Sequence, residues 1–231
     1  MRYTRVIPVL LIHKGGIYKT IKFNDPIYIG DPINAIRLFN DLGVDEICIL
    51  DIDASKKNIS PNYDIIEDMA SEAFMPCSYG GGIKTIEQAK SLLQLGIEKI
   101  VFNHAVQTSH KLINQCVEYF GSQSVVVSID YKKKIFNGNI CFDHVKSKTL
   151  KINISNAAIA AENAGAGEII INSVDRDGLM NGLDVDVITE VSAKVGIPIV
   201  ACGGAGNVAH IQEAVHAGAS AVAAGSMFVF H

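Results

Sequence analysis

What the 231-residue sequence lacks narrows its reading first. No apolar run reaches the roughly 20 residues that a membrane-spanning helix needs. Met1-Arg2-Tyr3 does not begin a secretory signal. A cytoplasmic protein is therefore expected. The 20 basic and 24 acidic residues leave a net charge of −4 with no basic stripe, which sets aside nucleic acid and anionic membranes as partners. The five cysteines, Cys48, Cys77, Cys116, Cys141 and Cys202, have no C-x-x-C spacing. They read as buried, reduced thiols rather than as disulfides or metal ligands. The seven histidines are scattered, so no metal site and no cofactor is proposed.

What is present is a duplication. Residues 43–103 recur without a gap at 165–225, at a constant offset of 122. Gly43, Glu46, Ile47 and Ile49 return as Gly165, Glu168, Ile169 and Ile171. Asp53 returns as Asp175, Gly81-Gly82 as Gly203-Gly204, and Gly96 as Gly218. A period near half the chain suggests two fused halves of one domain rather than a solenoid. One domain over 1–231 is expected, with halves of about 1–120 and 121–231.

Short β-branched runs fall at 5–12, 46–51, 75–79, 99–103, 124–130, 168–173, 197–202 and 221–225. They are almost continuously apolar, as strands covered on both faces must be. Helical periodicity lies between them: over 86–95, Ile86, Ala89, Leu92 and Leu93 share one face. Seven strand-to-helix alternations and an eighth strand give a (β/α)8 TIM barrel of two half-barrel repeats. An open doubly wound sheet is the alternative. The sequence stops at Phe228-Val229-Phe230-His231, so the eighth helix is expected to be missing or truncated. Strands 1 and 8 would then expose apolar surface unless something else covers it.

In such barrels ligands bind at the C-terminal ends of the strands. The residues following each apolar run include Asp51, Gly82, Asn103, Asp130, Asp177, Gly178, Gly204, Gly225 and Ser226. Glycines there let backbone amides approach an anion closely. Gly204 with Gly225-Ser226 forms one candidate phosphate site, and Gly82 with Asn103 its duplicate across the barrel. Backbone amides, more than lysines, are expected to make the contacts. The alternative is that these glycines only permit tight turns. Two such sites imply an elongated substrate with a phosphate at each end. At the other end, Arg5, Glu46, Lys99 and Glu168 lie at or just before strand starts. Two charges of each sign should form a salt-bridged ring around the N-terminal mouth.

Arg5-Val6-Ile7-Pro8, Leu50 through Ser55, Gly80 through Ile83, Asp175-Arg176-Asp177-Gly178 and Gly203-Gly204-Ala205-Gly206 carry a family resemblance. The chain resembles the cyclase subunit of imidazole glycerol phosphate synthase from Arg5 to its last strand. The resemblance implies a lyase of histidine biosynthesis that works as the synthase half of a glutamine amidotransferase. It implies a glutaminase partner docked at the N-terminal face, with Arg5, Glu46, Lys99 and Glu168 as the ammonia gate; a structural plug is the alternative. It implies a phosphorylated small-molecule substrate and a substrate-contacting Lys19 in the loop after strand 1. The alternative for Lys19 is a solvated loop lysine.

The family's cyclase uses two aspartates as general acid and base, one ending strand 1 and one ending strand 5. The second is Asp130; Leu11 stands at the first. His13 shares Leu11's strand face two residues further out and would require a shifted substrate. The family's glycine-rich basic loop after strand 5 is replaced by 143–149, which lacks glycine. Two alternatives therefore accompany the cyclase reading. One is a divergent paralogue aiding ammonia-dependent amidination of a surface sugar. The other is a non-catalytic ammonia conduit and scaffold.

Overall fold

The computed structural model describes residues 4–103, 110–134 and 138–229. In chain order the elements are β1 (Arg5–His13), β2 (Gly16–Ile21), β3 (Asn24–Gly30), α1 (Pro32–Leu42), β4 (Ile47–Asp51), α2 (Ala54–Lys57), α3 (Tyr63–Glu72) and β5 (Cys77–Gly80). Then come α4 (Ile86–Gln94), β6 (Lys99–Phe102), α5 (His110–Phe120), β7 (Val125–Lys134), β8 (Gly138–Asp143), β9 (Lys148–Asn153) and α6 (Ile154–Asn163). The chain continues through β10 (Glu168–Ser173), α7 (Val185–Ser192), β11 (Ile199–Cys202), α8 (Val208–His216) and β12 (Ala221–Ala224). Strands β1, β4, β5, β6, β7, β10, β11 and β12 pair in parallel, and β12 returns to β1. The sheet is a closed TIM barrel, and the open-sheet alternative is excluded.

The duplication is visible bond by bond. Ile47 N donates to Pro76 O at 2.9 Å, and Ile169 N to Pro198 O at 3.0 Å. Glu98 N donates to Cys77 O, and Ser220 N to Ile199 O, both at 2.8 Å. Gly43 and Gly165 end α1 and α6 with φ of 62° and 87°, and their amides bond Asn40 O and Glu162 O. Every partner in the second half lies 122 residues after its counterpart in the first.

Apolar side chains divide between two layers. Ile7, Val9, Cys48, Val101, Val126, Ile170, Val200 and Ala223 fill the barrel interior. Ile36, Phe39, Ile47, Ile66, Leu92, Ile113, Val127, Ile169 and Val222 belong to the layer between strands and helices. Full burial of each large side chain contributes about 1.5–3 kcal/mol. The periodicity over 86–95 resolves as α4, with Ala89 and Leu92 buried. Thr85 and Gln88 close its N-terminus as a reciprocal capping box.

Two features depart from simple alternation. After β1 and again after β7 the chain makes an antiparallel hairpin, β2–β3 and β8–β9, before the next helix. The β2–β3 turn puts Lys22 and Phe23 at φ of 52° and 64°, the doubly left-handed geometry that Asn-Gly normally supplies. Without that pair the turn carries no sequence signal. The second departure is at the end of the chain, where β12 is buried along its whole length instead of exposed. A 3-10 turn, Ser226–Phe228, follows it, and Phe228 packs edge-on against Phe39 with ring centres 5.7 Å apart. Leu38 and Leu42 of α1 are among the exposed apolar side chains.

The paired glycines have a steric requirement. A Cβ on Gly203 would lie 2.6 Å from Ser173 O, and one on Gly81 2.6 Å from Asp51 O. Both have positive φ. Gly203→Ala should destabilise the protein by about 1–3 kcal/mol, the usual cost of a strained backbone position. Gly30→Ala, with open space around it, should stay within about 0.5 kcal/mol of the parent. Midpoints of denaturant unfolding check the pair.

Candidate functional site

At the N-terminal mouth the four charges form one closed ring. Arg5 Nη1 bonds Glu46 Oε2 at 2.6 Å, and Arg5 Nη2 bonds Glu168 Oε1. Lys99 Nζ bridges both carboxylates, at 2.8 Å to Glu46 Oε2 and 3.1 Å to Glu168 Oε2. Glu46 and Glu168 are buried, which is tolerable because each carboxylate meets two cations. Burial opposes the charge on Arg5, but hydrogen bonds and attraction from Glu168 and Glu46 hold its pKa above the usual value.

The C-terminal face holds the main cavity. Asp51, Gly82, Asn103, Asp130, Asp177, Gly178, Gly204, Gly225, Ser226 and Lys19 all line it, together with Leu11 and Leu50. Asp130, at the end of the barrel portion of β7, is the carboxylate the sequence singles out. Its Oδ2 accepts from Asn103 Nδ2 at 2.9 Å and its Oδ1 from Asn172 Nδ2 at 3.3 Å. His144, at the β8–β9 turn, places Nδ1 3.2 Å from Asp130 Oδ2. The amide oxygens of Asn103 and Asn172 are buried without a partner. They are therefore acceptors that a ligand donor could satisfy.

Register identifies the partner position of Asp130. In the second half Asp130 is opposite Asn172; in the first, Leu11 is opposite Leu50. Leu50 and Asn172 are 122 apart, so Leu11 and Asp130 are structural counterparts. One side of the rim is thus apolar and the other polar. His13 does not line the cavity. Its Nδ1 bonds Asp53 Oδ1 at 2.9 Å, and its ring stands edge-on to Tyr18 at 4.8 Å.

Lys19 is neither in a loop nor solvated. It lies in β2, is 5 % exposed, and donates to Val9 O at 3.2 Å. Burial lowers its pKa to about 8, against the attraction of Asp177. A Cβ on Gly225 would collide with Lys19 Nζ, so glycine there leaves room for the ammonium beside Ser226. This rim therefore places a buried lysine beside the backbone amides of the glycines. On the opposite rim Gly82 N already donates to Ser55 Oγ at 3.2 Å.

Asp177 and Gly178 receive the β2–β3 hairpin as well as lining the cavity. Thr20 Oγ1 donates to Asp177 Oδ2 at 2.9 Å, Phe23 N to the same oxygen at 3.3 Å, and Lys22 N to Asp177 O at 3.0 Å. Burial raises the pKa of Asp177 despite these donors. Burial likewise raises that of Asp51, although the amides of Asp53 and Ala54 both bond its Oδ1 at 2.9 Å. Sequence reasoning missed Thr20, Phe23, His144 and Asn172. Only the unusual 143–149 segment pointed toward any of them. Among the described residues no group of three His, Cys, Asp or Glu is placed to hold a metal ion. No helix among them is long and apolar enough to cross a membrane.

A closed barrel made of two copies of one half, with a charged ring below and a glycine-rimmed cavity above, defines the class. Residues 5–231 match the family described as "Histidine biosynthesis protein", and the chain belongs to that family. It is 48 % identical over 228 residues to a Pseudomonas aeruginosa protein provisionally named imidazole glycerol phosphate synthase subunit hisF2. That match covers 98 % of this chain and 91 % of the relative. Provisionally named subunits of the same synthase from Leptospira borgpetersenii and Vibrio vulnificus are each 44 % identical. Those matches cover 98 % and 100 % of this chain, and 90 % and 89 % of the relatives.

Asp53 gives this face a pH signature. Burial would raise its pKa, but the Lys14 amide, the Lys57 ammonium and His13 together lower it to about 2. An unfolded aspartate titrates near about 3.9. The stabilisation from Asp53 is therefore complete above that value and is lost as pH falls toward 2. Asp53→Asn should flatten the loss of stability between about pH 4 and pH 2 relative to the parent, as read from urea midpoints.

Proposed function

We propose that this chain is the synthase subunit, of cyclase type, of a glutamine amidotransferase pair resembling imidazole glycerol phosphate synthase. A glutaminase docks at the N-terminal mouth and delivers ammonia to the ring of Arg5, Glu46, Lys99 and Glu168. Ammonia passes up the barrel interior to the cavity where Asp130 faces a phosphorylated substrate. Gly204, Gly225, Ser226 and Lys19 bind one phosphate; Gly82 and Asn103 bind the other. Asp51, Asp177 and Gly178 shape the wall between them. The observation that carries the reading is the alignment of two built features on one barrel axis. A closed ring of four charges spans the lower mouth, and a carboxylate bonded through both oxygens sits in the upper cavity. The names of the relatives support the same assignment.

Leu11 favours a second reading of the substrate. A leucine moves no proton, and losing a positioned acid or base costs roughly 10²–10⁴-fold in rate. A divergent paralogue that aids amidination of a surface sugar, or a conduit without chemistry of its own, would tolerate that loss.

The test uses the complex with its glutaminase and the phosphorylated substrate of imidazole glycerol phosphate synthase, driven either by glutamine or by ammonium chloride. Asp130→Asn should slow both reactions by roughly 10²–10⁴-fold. Lys99→Ala should lower glutamine-driven turnover selectively and leave ammonium-driven turnover near the parent value. Parent protein that stimulates its glutaminase yet turns over nothing with ammonium chloride would overturn the cyclase reading in favour of the paralogue and conduit readings.

A further inference from the structure

The mechanism needs a second proton-transfer group, and the position equivalent to Asp130 in the first half holds Leu11, opposite Leu50. Among the described residues the ionisable side chain paired with Asp130 is instead His144, from the β8–β9 hairpin of the same half. Its Nδ1 lies 3.2 Å from Asp130 Oδ2, and its side chain is 20 % exposed. His144 and Asp130 both line the main cavity. We propose that His144 is the proton-transfer group of this site and that Asp130 orients it. The proposal rests on the reading that this chain itself performs ammonia-dependent chemistry.

Three observations support the pairing. Both oxygens of Asp130 already accept amide hydrogens, from Asn103 and Asn172. That arrangement suits a carboxylate that orients a neighbouring ring and stabilises its protonated form, as in carboxylate–imidazole catalytic pairs generally. Facing Nδ1 toward Asp130 leaves Nε2, on the ring's opposite edge, without a protein partner among the described residues. An imidazole also exchanges protons near neutral pH, which a carboxylate does not without special surroundings.

The hairpin turn is built to hold the ring. Asp143 Oδ1 accepts from the amides of Val145 and Lys146, both at 3.0 Å. The 3.2 Å contact is an ion-pair distance without hydrogen-bond alignment, and catalytic pairs often align only when substrate binds. In the chemical step ammonia adds to an electrophilic carbonyl carbon. The C–N bond forms as the C=O π pair moves onto oxygen. His144 Nε2 takes one proton from the new ammonium nitrogen and returns it to the alkoxide, so no co-reactant beyond ammonia is required.

The experiment measures kcat and KM with ammonium chloride and the phosphorylated substrate of imidazole glycerol phosphate synthase, for parent, His144→Gln and His144→Gly. His144→Gln should lower kcat by roughly 10²–10⁴-fold with KM little changed. Added imidazole should restore part of the His144→Gly rate. His144 sits on a half-exposed turn, and thermal melts of both variants confirm the fold. An unchanged kcat in His144→Gln, with an active parent, overturns the pairing and leaves the proposed function intact. Loss that imidazole does not rescue, accompanied by a raised KM, also overturns it, since a merely structural residue behaves so. An inactive parent overturns the proposed function and this inference together.

Discussion

Closure of eight parallel strands into a ring is the constraint on which every other feature depends. Once β12 pairs with β1, the side-chain alternation of each strand decides which residues enter the barrel and which pack beneath helices. Register then carries that choice to both mouths. The pairing of Leu11 with Leu50, and of Asp130 with Asn172, follows from the same ladders that seat Val9 beside Cys48 lower in the interior. Any change at the rim is therefore a change at a fixed station. No local slip can bring another strand residue to the place of Leu11 without turning the apolar interior outward.

The two mouths meet the cost of buried charge in opposite ways. Below, Glu46 and Glu168 share Arg5 and Lys99, so four formal charges sum to zero within one hydrogen-bonded ring. Removing either cation would leave carboxylates poorly compensated, a larger penalty than the intact ring gains. Above, compensation is incomplete. Asp51 and Asp177 have raised pKa values and Lys19 a lowered one, each chiefly through burial. Two asparagine oxygens have no partner. A site left under-satisfied in this way is one that a polar ligand completes. The strained Lys22-Phe23 turn, held in place through Asp177, adds to the same picture: unfavourable local geometry concentrated where a ligand would bind.

The barrel was legible because duplication and apolar runs are properties of sequence alone. The charged ring was also legible, since its four members sit at strand starts whose positions the runs define. The hairpins were not. In 16–30, short apolar stretches alternate with polar ones no more regularly than in a helix, and the turn lacks Asn-Gly. Its conformation is decided by the long-range bonds to Asp177, which no local pattern announces. The hairpins change two positions: Lys19 lies in a strand rather than in a loop, and His144 reaches the cavity from a turn. Residues that reach a site from an inserted hairpin have no fixed spacing from the strand ends, so their arrival depends on tertiary docking.

Asymmetry between two copies of one half is the most informative property of this face. Backbone hydrogen bonds repeat at the 122-residue offset almost without change, so the scaffold imposes twofold equivalence on the rim. Side chains break it: Leu11 and Leu50 on one side, Asp130 and Asn172 on the other. A substrate handled by two equivalent carboxylates would favour retaining both. Here the polar functions gather around one carboxylate of the second half, on which Asn103 from the first half and Asn172 and His144 from the second converge. At the ends of β1 and β4 the first half presents leucines instead, which exclude water and strengthen the electrostatic contacts beside them. Such a rim is complementary to a ligand with one hydrogen-bonding edge and one apolar edge.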